Sequence, residues 1–217
     1  MNKLELDDVV LRWIAVSEMQ NNVYVITHRA SGQQLLIDAA DDAESINALL
    51  QAAAQDAPNA AVAGIATTHQ HWDHVRALPA LAAQYPVPTY AGAEDASGIK
   101  AECGVDTSVQ LNHLDAIALG SLSITAVALR GHTPGSIAYV VEDSSGQQVI
   151  ISGDSLFPGG VGNTNNDPQR FTSLLDDVTE RLFNQYGDEA LVLPGHGDST
   201  TLGAERPHLA EWRERGW

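Results

Sequence analysis

One stretch of seven residues, Thr68-His69-Gln70-His71-Trp72-Asp73-His74, constrains this chain more than any other feature. It packs three imidazoles and a carboxylate into a single short segment. It follows directly on Ala61 to Thr67, a continuous run of small apolar residues of strand length, the pattern of a strand buried on both faces. On an extended or turning backbone, residues two apart point the same way. His69 and His71 can therefore converge on one cation while Asp73 and His74 turn toward a neighbouring one. Neutral imidazoles and carboxylates suit zinc, and also iron or manganese.

Further donors stand elsewhere in the chain. Of the eight histidines, five fall into three compact clusters: the heptapeptide, His132 in Gly131-His132-Thr133-Pro134-Gly135, and His196 in Leu193-Pro194-Gly195-His196-Gly197. Each cluster follows an apolar strand-like run, so each is expected where a strand stops and a loop begins, a common place for binding residues. Asp154, in Ser152-Gly153-Asp154-Ser155-Leu156, adds a carboxylate at another strand end and is placed to bridge two cations. Alone, His132 or Asp154 would read as turn chemistry; together, in this order, the clusters read as a metal site.

Charge sharpens that reading. The chain carries 28 acidic and 11 basic residues, a formal charge of −17. Gathering more carboxylates at one place on so acidic a chain is unfavourable unless divalent cations neutralise them. The same charge, with no basic stripe, excludes non-specific binding to nucleic acid or to anionic lipid. No apolar run approaches the roughly 18 to 20 residues of a membrane helix. The opening residues turn acidic at Glu5, Asp7 and Asp8 before any apolar segment, so no secretory signal is expected and a cytoplasmic location is. Cys103 is the single cysteine, which excludes an internal disulfide; it reads as a small buried hydrophobe.

Hydrophobic patterning predicts strands over Val9–Val16, Asn22–Thr27, Gln34–Asp38 and Ala61–Thr67, with a helix over 42–55. A second helix is expected from Val75 to Gln84, a short strand ending near Tyr90, and a helix and turn ending near Cys103. Thr107 to Ile151 reads as mostly β, Gly153 to Pro168 as a loop rich in glycine and asparagine, Phe171 to Tyr186 as helix, Ala190 to Leu193 as strand and Ala204 to Arg215 as a closing helix. No linker or repeat interrupts residues 1–217, so one α/β domain of sheet packed on sheet with helices outside is expected.

The succession H-x-H-x-D-H, G-H-T-P-G-S, G-D-S-L-F and P-G-H-G resembles the metallo-β-lactamase-fold hydrolases, most closely their glyoxalase II-like branch. The resemblance spans nearly the whole chain and implies an αββα sandwich, two mixed sheets flanked by helices. It implies that His69, His71 and His132 hold a first metal, that Asp73, His74 and His196 hold a second, and that Asp154 bridges them. The implied cofactor is a pair of divalent ions, zinc before iron or manganese. The implied activity is hydrolysis of a small thioester or related acyl compound by metal-held hydroxide, with Asp73 and Asp154 orienting that hydroxide.

Departures from the branch narrow the substrate. About 20 residues follow His196, so the helical extension that holds glutathione in glyoxalase II enzymes is not expected here. Their basic and aromatic residues after G-D-x-L-F are replaced by Gly160-Val161-Gly162-Asn163-Thr164-Asn165-Asn166. A carrier other than glutathione is expected, with Trp72, Asn163 and Asn165 as candidate substrate contacts and a hydroxyl-rich or amide-rich thiol as the partner. Two alternatives remain at this stage: a persulfide dioxygenase using one iron held by two histidines and Asp154, and a non-catalytic module that captures a metabolite. Outside the clusters, His28, His113 and His208 read as surface or capped histidines, Tyr139 as core, and the terminal segment with Trp212 and Trp217 as a helix docked by aromatic anchors.

Overall fold

The computed structural model describes residues 1–216. The chain opens with β1 (Asn2–Glu5), β2 (Val9–Val16), β3 (Asn21–His28) and β4 (Gln33–Ile37), then α1 (Ala43–Ala53), β5 (Ala61–Ala66), α2 (Leu78–Gln84), β6 (Thr89–Gly92), α3 (Ala96–Cys103) and β7 (Val109–Leu111). These strands form one sheet in sequence order, antiparallel from β1 to β4 and parallel from β4 to β7. The second half supplies β8 (Ala116–Leu119), β9 (Leu122–Ala128), β10 (Ile137–Glu142) and β11 (Gln148–Gly153), the small hairpin β12 (Leu156–Phe157) and β13 (Gly160–Val161), α4 (Pro168–Val178), β14 (Leu191–Pro194), β15 (Thr200–Thr201), α5 (Leu202–Glu205) and α6 (Leu209–Arg215). Its sheet runs β15-β14-β11-β10-β9-β8, with β11 and β14 parallel.

Strand alternation builds the layers. In β3, Tyr24 and Ile26 point between the sheets while Val23 and Val25 point outward under α1. In β10, Ile137, Tyr139 and Val141 meet them from the opposite sheet, and Ala138 and Val140 face outward to α4. Period-2 patterning with apolar residues on both faces is what a sheet covered on both sides requires. Ile46, Leu49, Leu78, Leu81 and Ile99 cap the first sheet; Leu174, Leu175, Val178 and Trp212 cap the second. The result is the expected αββα sandwich.

Several element bounds differ from the sequence reading for identifiable reasons. The chain begins with an edge strand, β1, that has no buried face to give it a pattern; all four of its residues are exposed or half-buried. α4 starts at Pro168 because Asp167 caps it, its carboxylate accepting the Gln169 and Arg170 N–H groups at 2.8 and 3.1 Å; apolar periodicity alone, beginning at Phe171, misses that turn. Past Val178 the helix loosens into a π turn over Thr179–Phe183. The closing helix is broken at Pro207 by a 3₁₀ turn, Arg206–His208. The stretch 153–168 carries the β12–β13 hairpin, too short to show a period. The first residues of the segment 72–84 form a 3₁₀ turn, Trp72–His74, and α2 begins later. Among single residues, Tyr139 is core, and Cys103 is half-buried with its thiol against the Ile99 carbonyl. His28 is buried and capped by the Ser31 and Ser121 hydroxyls, while His113 and His208 are exposed. Trp217 lies outside the described residues.

Candidate metal centre

Topology brings the four sequence clusters to one edge. β9 is antiparallel to β10, β10 to β11, and β11 parallel to β14, so the C-terminal ends of β9, β11 and β14 share a side. They deliver His132, Asp154 and His196 respectively. The β11–β14 register sets Gly153 opposite Pro194, which makes Asp154 and Gly195 neighbours. Only glycine fits at 195: a β-carbon there would collide with Asp154 Oδ1. β5 ends against the same edge from the other sheet, tied across by the Ile137 N–H donating to the Thr68 carbonyl at 2.8 Å.

Three groups of donors result: His69, His71 and His132; His69, His74 and Asp154; and Asp73, His74 and His196, with the atoms of each group within 4.8 Å of one another. In the first, His69 Nε2 lies 3.1 Å from His71 Nδ1 and 3.3 Å from His132 Nε2. In the last, His74 Nε2 lies 3.1 Å from His196 Nε2, and Asp73 Oδ2 lies 3.5 and 3.4 Å from those two nitrogens. Asp154 reaches both sets, Oδ1 at 3.5 Å from His74 and Oδ2 at 3.5 Å from His196 and 3.7 Å from His132. All seven residues named from sequence therefore meet.

The fit to a cation can be tested on the protein's own atoms. Asp154 Oδ1 is buried and has no hydrogen-bond partner among the described residues, an arrangement that costs free energy unless something else satisfies it. The imidazoles are pre-oriented as ligands. The Nδ1–H of His132 donates to the Asn163 carbonyl at 2.8 Å and that of His196 to the Met19 carbonyl at 2.9 Å, which leaves each Nε2 lone pair facing the cluster. His74 Nδ1 donates to Asp38 Oδ2 at 2.9 Å. Asp38 also accepts from the Thr68 N–H and hydroxyl at 2.7 and 2.8 Å, and that hydroxyl in turn accepts from His69 Nδ1 at 3.0 Å. Asp95 ties the heptapeptide to the His132 loop, accepting from the Gln70 N–H at 2.9 Å, the Gly135 N–H at 2.7 Å and the Thr133 hydroxyl at 2.6 Å. Neither aspartate was singled out in the sequence reading. Asp38 had one visible signal, an acid closing the buried run Leu35-Leu36-Ile37.

Electrostatics separates the two sets. Burial, then the neighbouring imidazoles, pushes His69 well below its ordinary value; burial lowers His71 and His132 too, so the first set is neutral and ready to ligate. His74 is buried as deeply, but Asp38, then Asp154 and Asp73, outweigh that burial and push it up to about 9. Asp73 goes the other way: burial raises it, and His196 and His74 more than offset this and lower it. A proton on His74 thus competes with a cation at the second set. Loading of that set is expected to strengthen about tenfold per pH unit as pH rises toward about 9, where that proton leaves, and to level off above it. In the cation-free protein the same raised group contributes stability that is complete below about 6.5 and lost as pH rises through about 9. Titration calorimetry across this window checks the first expectation, and Asp38→Asn should move the plateau to lower pH. An affinity flat from 6.5 to 9 would contradict it.

Beside His71 and His132 opens a groove of about 610 Å³, lined by Gln70, Thr133, Asn165, Gln169 and Ser173 together with Arg130 and Arg170. Of the residues expected to touch substrate, Asn165 lines this groove. Asn163 holds His132 through its carbonyl, and its side-chain oxygen accepts the Asn165 N–H at 2.8 Å. Trp72 lies on a different groove with Met19 and Asp41, its ring 3.9 Å below the Arg76 guanidinium.

Two mixed sheets between helices, with imidazoles and carboxylates converging at their common edge, define an αββα protein with candidate metal-binding groups. Residues 16–196 match the family model of the metallo-beta-lactamase superfamily, and the chain belongs to that family. It is 26% identical over 212 residues to the probable metallo-hydrolase YqgX of Bacillus subtilis, covering 90% of this chain and 95% of that one. Hydroxyacylglutathione hydrolase GloC of Haemophilus influenzae is 31% identical over 88 residues, 41% of this chain and 40% of its own. The crystal structure of ETHE1 from Myxococcus xanthus superposes with a TM-score of 0.76 at 28% identity, over 94% of this chain and 84% of that one. No helix among the described residues is long and apolar enough to cross a membrane.

Proposed function

We propose that this chain is a dinuclear metal-dependent hydrolase of small thioesters or related acyl compounds. The observation that carries the reading is Asp154, a carboxylate that reaches both donor sets while its buried Oδ1 has no hydrogen bond among the described residues. His69, His71 and His132 would hold the first cation, Asp73, His74 and His196 the second, with Asp154 between them. Such cations supply a water molecule acidified to about pKa 7 and a Lewis acid for the acyl oxygen. The protein's own part is the rest. Asp38, Asn163 and Met19 fix the imidazoles so that each lone pair points inward. Asp73 and Asp154 orient the attacking water and take its proton. The pair of complete donor sets favours hydrolysis over the single-iron dioxygenase chemistry, and the full ligand complement disfavours a mere binding module. The partial similarity to GloC supports an acyl-thiol substrate.

The groove favours a neutral, polar thiol carrier. Arg130 is held by Asp177 through Nε at 2.8 Å and Nη2 at 2.7 Å. Arg170 donates to the Gly131 carbonyl at 2.7 Å and to the His132 carbonyl, and so braces the ligand loop. The polar groups left to meet a ligand include the amides of Gln70, Asn165 and Gln169 and the hydroxyl of Ser173. A carrier rich in hydroxyl or amide groups matches that lining better than a dicarboxylate.

The test has two parts, elemental analysis of protein purified without added metal and hydrolysis across a panel of acyl thiols. Two divalent ions per chain and turnover abolished by chelation are expected. No hydrolysis with both ions confirmed in place would refute the assignment; one iron per chain with oxygen uptake on a persulfide would transfer it to oxygenation.

A further inference from the structure

Asn21 begins β3 and is fully buried. Its main chain bridges to His196, and the next residue, Asn22, pins the same loop, its N–H donating to the Gly195 carbonyl at 2.8 Å. The Asn21 side chain enters the second donor set. Nδ2 lies 2.9 Å from Asp73 Oδ2, 3.5 Å from His74 Nε2 and 3.4 Å from His196 Nε2. Those three donor atoms are separated by 3.5, 3.4 and 3.1 Å. The four atoms thus form a tetrahedron with every edge between 2.9 and 3.5 Å. A regular tetrahedron around a cation bound at roughly 2.0 to 2.1 Å has edges of about 3.3 to 3.4 Å. The amide nitrogen occupies the fourth corner of that tetrahedron, beside the Asp154 carboxylate that also reaches this set.

An amide nitrogen has no lone pair to offer, but its oxygen does, and a half-turn about the terminal torsion exchanges the two. The neighbour of the amide tolerates either orientation. Ser17 Oγ accepts the Met19 N–H at 3.0 Å and lies 2.7 Å from Asn21 Oδ1. A hydroxyl with one proton and two lone pairs can donate to Oδ1 in one orientation and accept from Nδ2 in the other. Ser17 itself has φ of 64°, a left-handed conformation uncommon for serine that sets its hydroxyl against Asn21.

We infer that Asn21 is a further protein donor of the second cation centre, beside Asp73, His74, His196 and the bridging Asp154, its amide donating to Asp73 in the cation-free protein and turning its oxygen inward when a cation binds. The inference rests on the two-cation reading above. The experiment titrates zinc into the cation-free wild-type chain, Asn21→Ala and Asn21→Asp, with cobalt absorption spectra of the loaded proteins and melting temperatures of the cation-free ones. Asn21→Ala should weaken the second equivalent by about 10- to 100-fold, leave the first unchanged, and alter the visible cobalt bands. Asn21→Asp, which retains a side-chain oxygen, should restore the second equivalent or tighten it. That reversal separates ligation from misfolding, because the aspartate is the harsher change for the cation-free fold. The inference is overturned if the alanine variant keeps the second affinity, or if the aspartate variant loses as much as the alanine one, which would leave the amide as a donor to Asp73 only. A wild-type chain that takes up fewer than two equivalents overturns the two-cation reading and this inference with it.

Discussion

Replacing Asp154 by alanine is expected to cut hydrolysis by at least about a thousandfold while leaving the cation-free protein as stable as before, or more so. The loss follows from removing the one carboxylate that touches both donor sets; metal-centred charge stabilisation is worth several kcal/mol, and about 1.4 kcal/mol corresponds to each tenfold in rate. The stability side is the more diagnostic. Asp154 adds to the hold on a His74 proton that Asp38 already keeps by a hydrogen bond at 2.9 Å, whereas its own Oδ1 is buried with no hydrogen bond among the described residues. Leaving a buried polar group unsatisfied costs about 1 to 3 kcal/mol. For a chain of this size, each kcal/mol corresponds to roughly 2 to 4 °C in melting temperature. Scanning calorimetry with and without zinc should therefore show the variant level with or above the wild type when stripped, and below it when loaded. A stripped variant that melts well below the stripped wild type would show that Asp154 serves the fold rather than a cation.

Trp212→Ala should have the largest effect on stability, about 3 to 5 kcal/mol. Trp212 is 1% exposed although it sits on α6, a helix of only seven residues. It packs edge-on against Phe183 with ring centroids 6.4 Å apart, inside the layer that also holds Leu174, Leu175 and Val178. A helix this short has little stability of its own, so its order comes from this anchor. Chemical denaturation should show a fall in midpoint, with the zinc stoichiometry of the still-folded variant unchanged, since Trp212 touches none of the donor residues. A loss below about 1 kcal/mol would mean that Leu209 and Arg213 hold the helix without it.

How much of this was legible beforehand follows from the kind of signal each feature leaves. The ligand residues were readable because their chemistry is rare at strand ends and clustered in sequence, and the sandwich because buried strands leave apolar runs. Asp38, Asp95 and Asn21 left almost no such mark: each sits far along the chain from the residue it serves, and only the pairing of β3 to β6 in the first sheet and the docking of that sheet on the second bring them together. Trp72 shows the opposite case. Lying between two donors in sequence placed it at the cleft, but the 3₁₀ turn at Trp72–His74 rotates it away from the first set and under Arg76. Periodicity also missed what sterics and capping decide, as at Asp167-Pro168 and Pro207.

Because the inward-facing donors come from both sheets, with His69 and His74 following β5 and Asp154 and His196 following β11 and β14, no half of the chain can assemble either pocket by itself. Ion retention thereby becomes a gauge of whether the two sheets remain docked. Any partial opening along their shared border should spill both ions together, well before the helices on the outside melt.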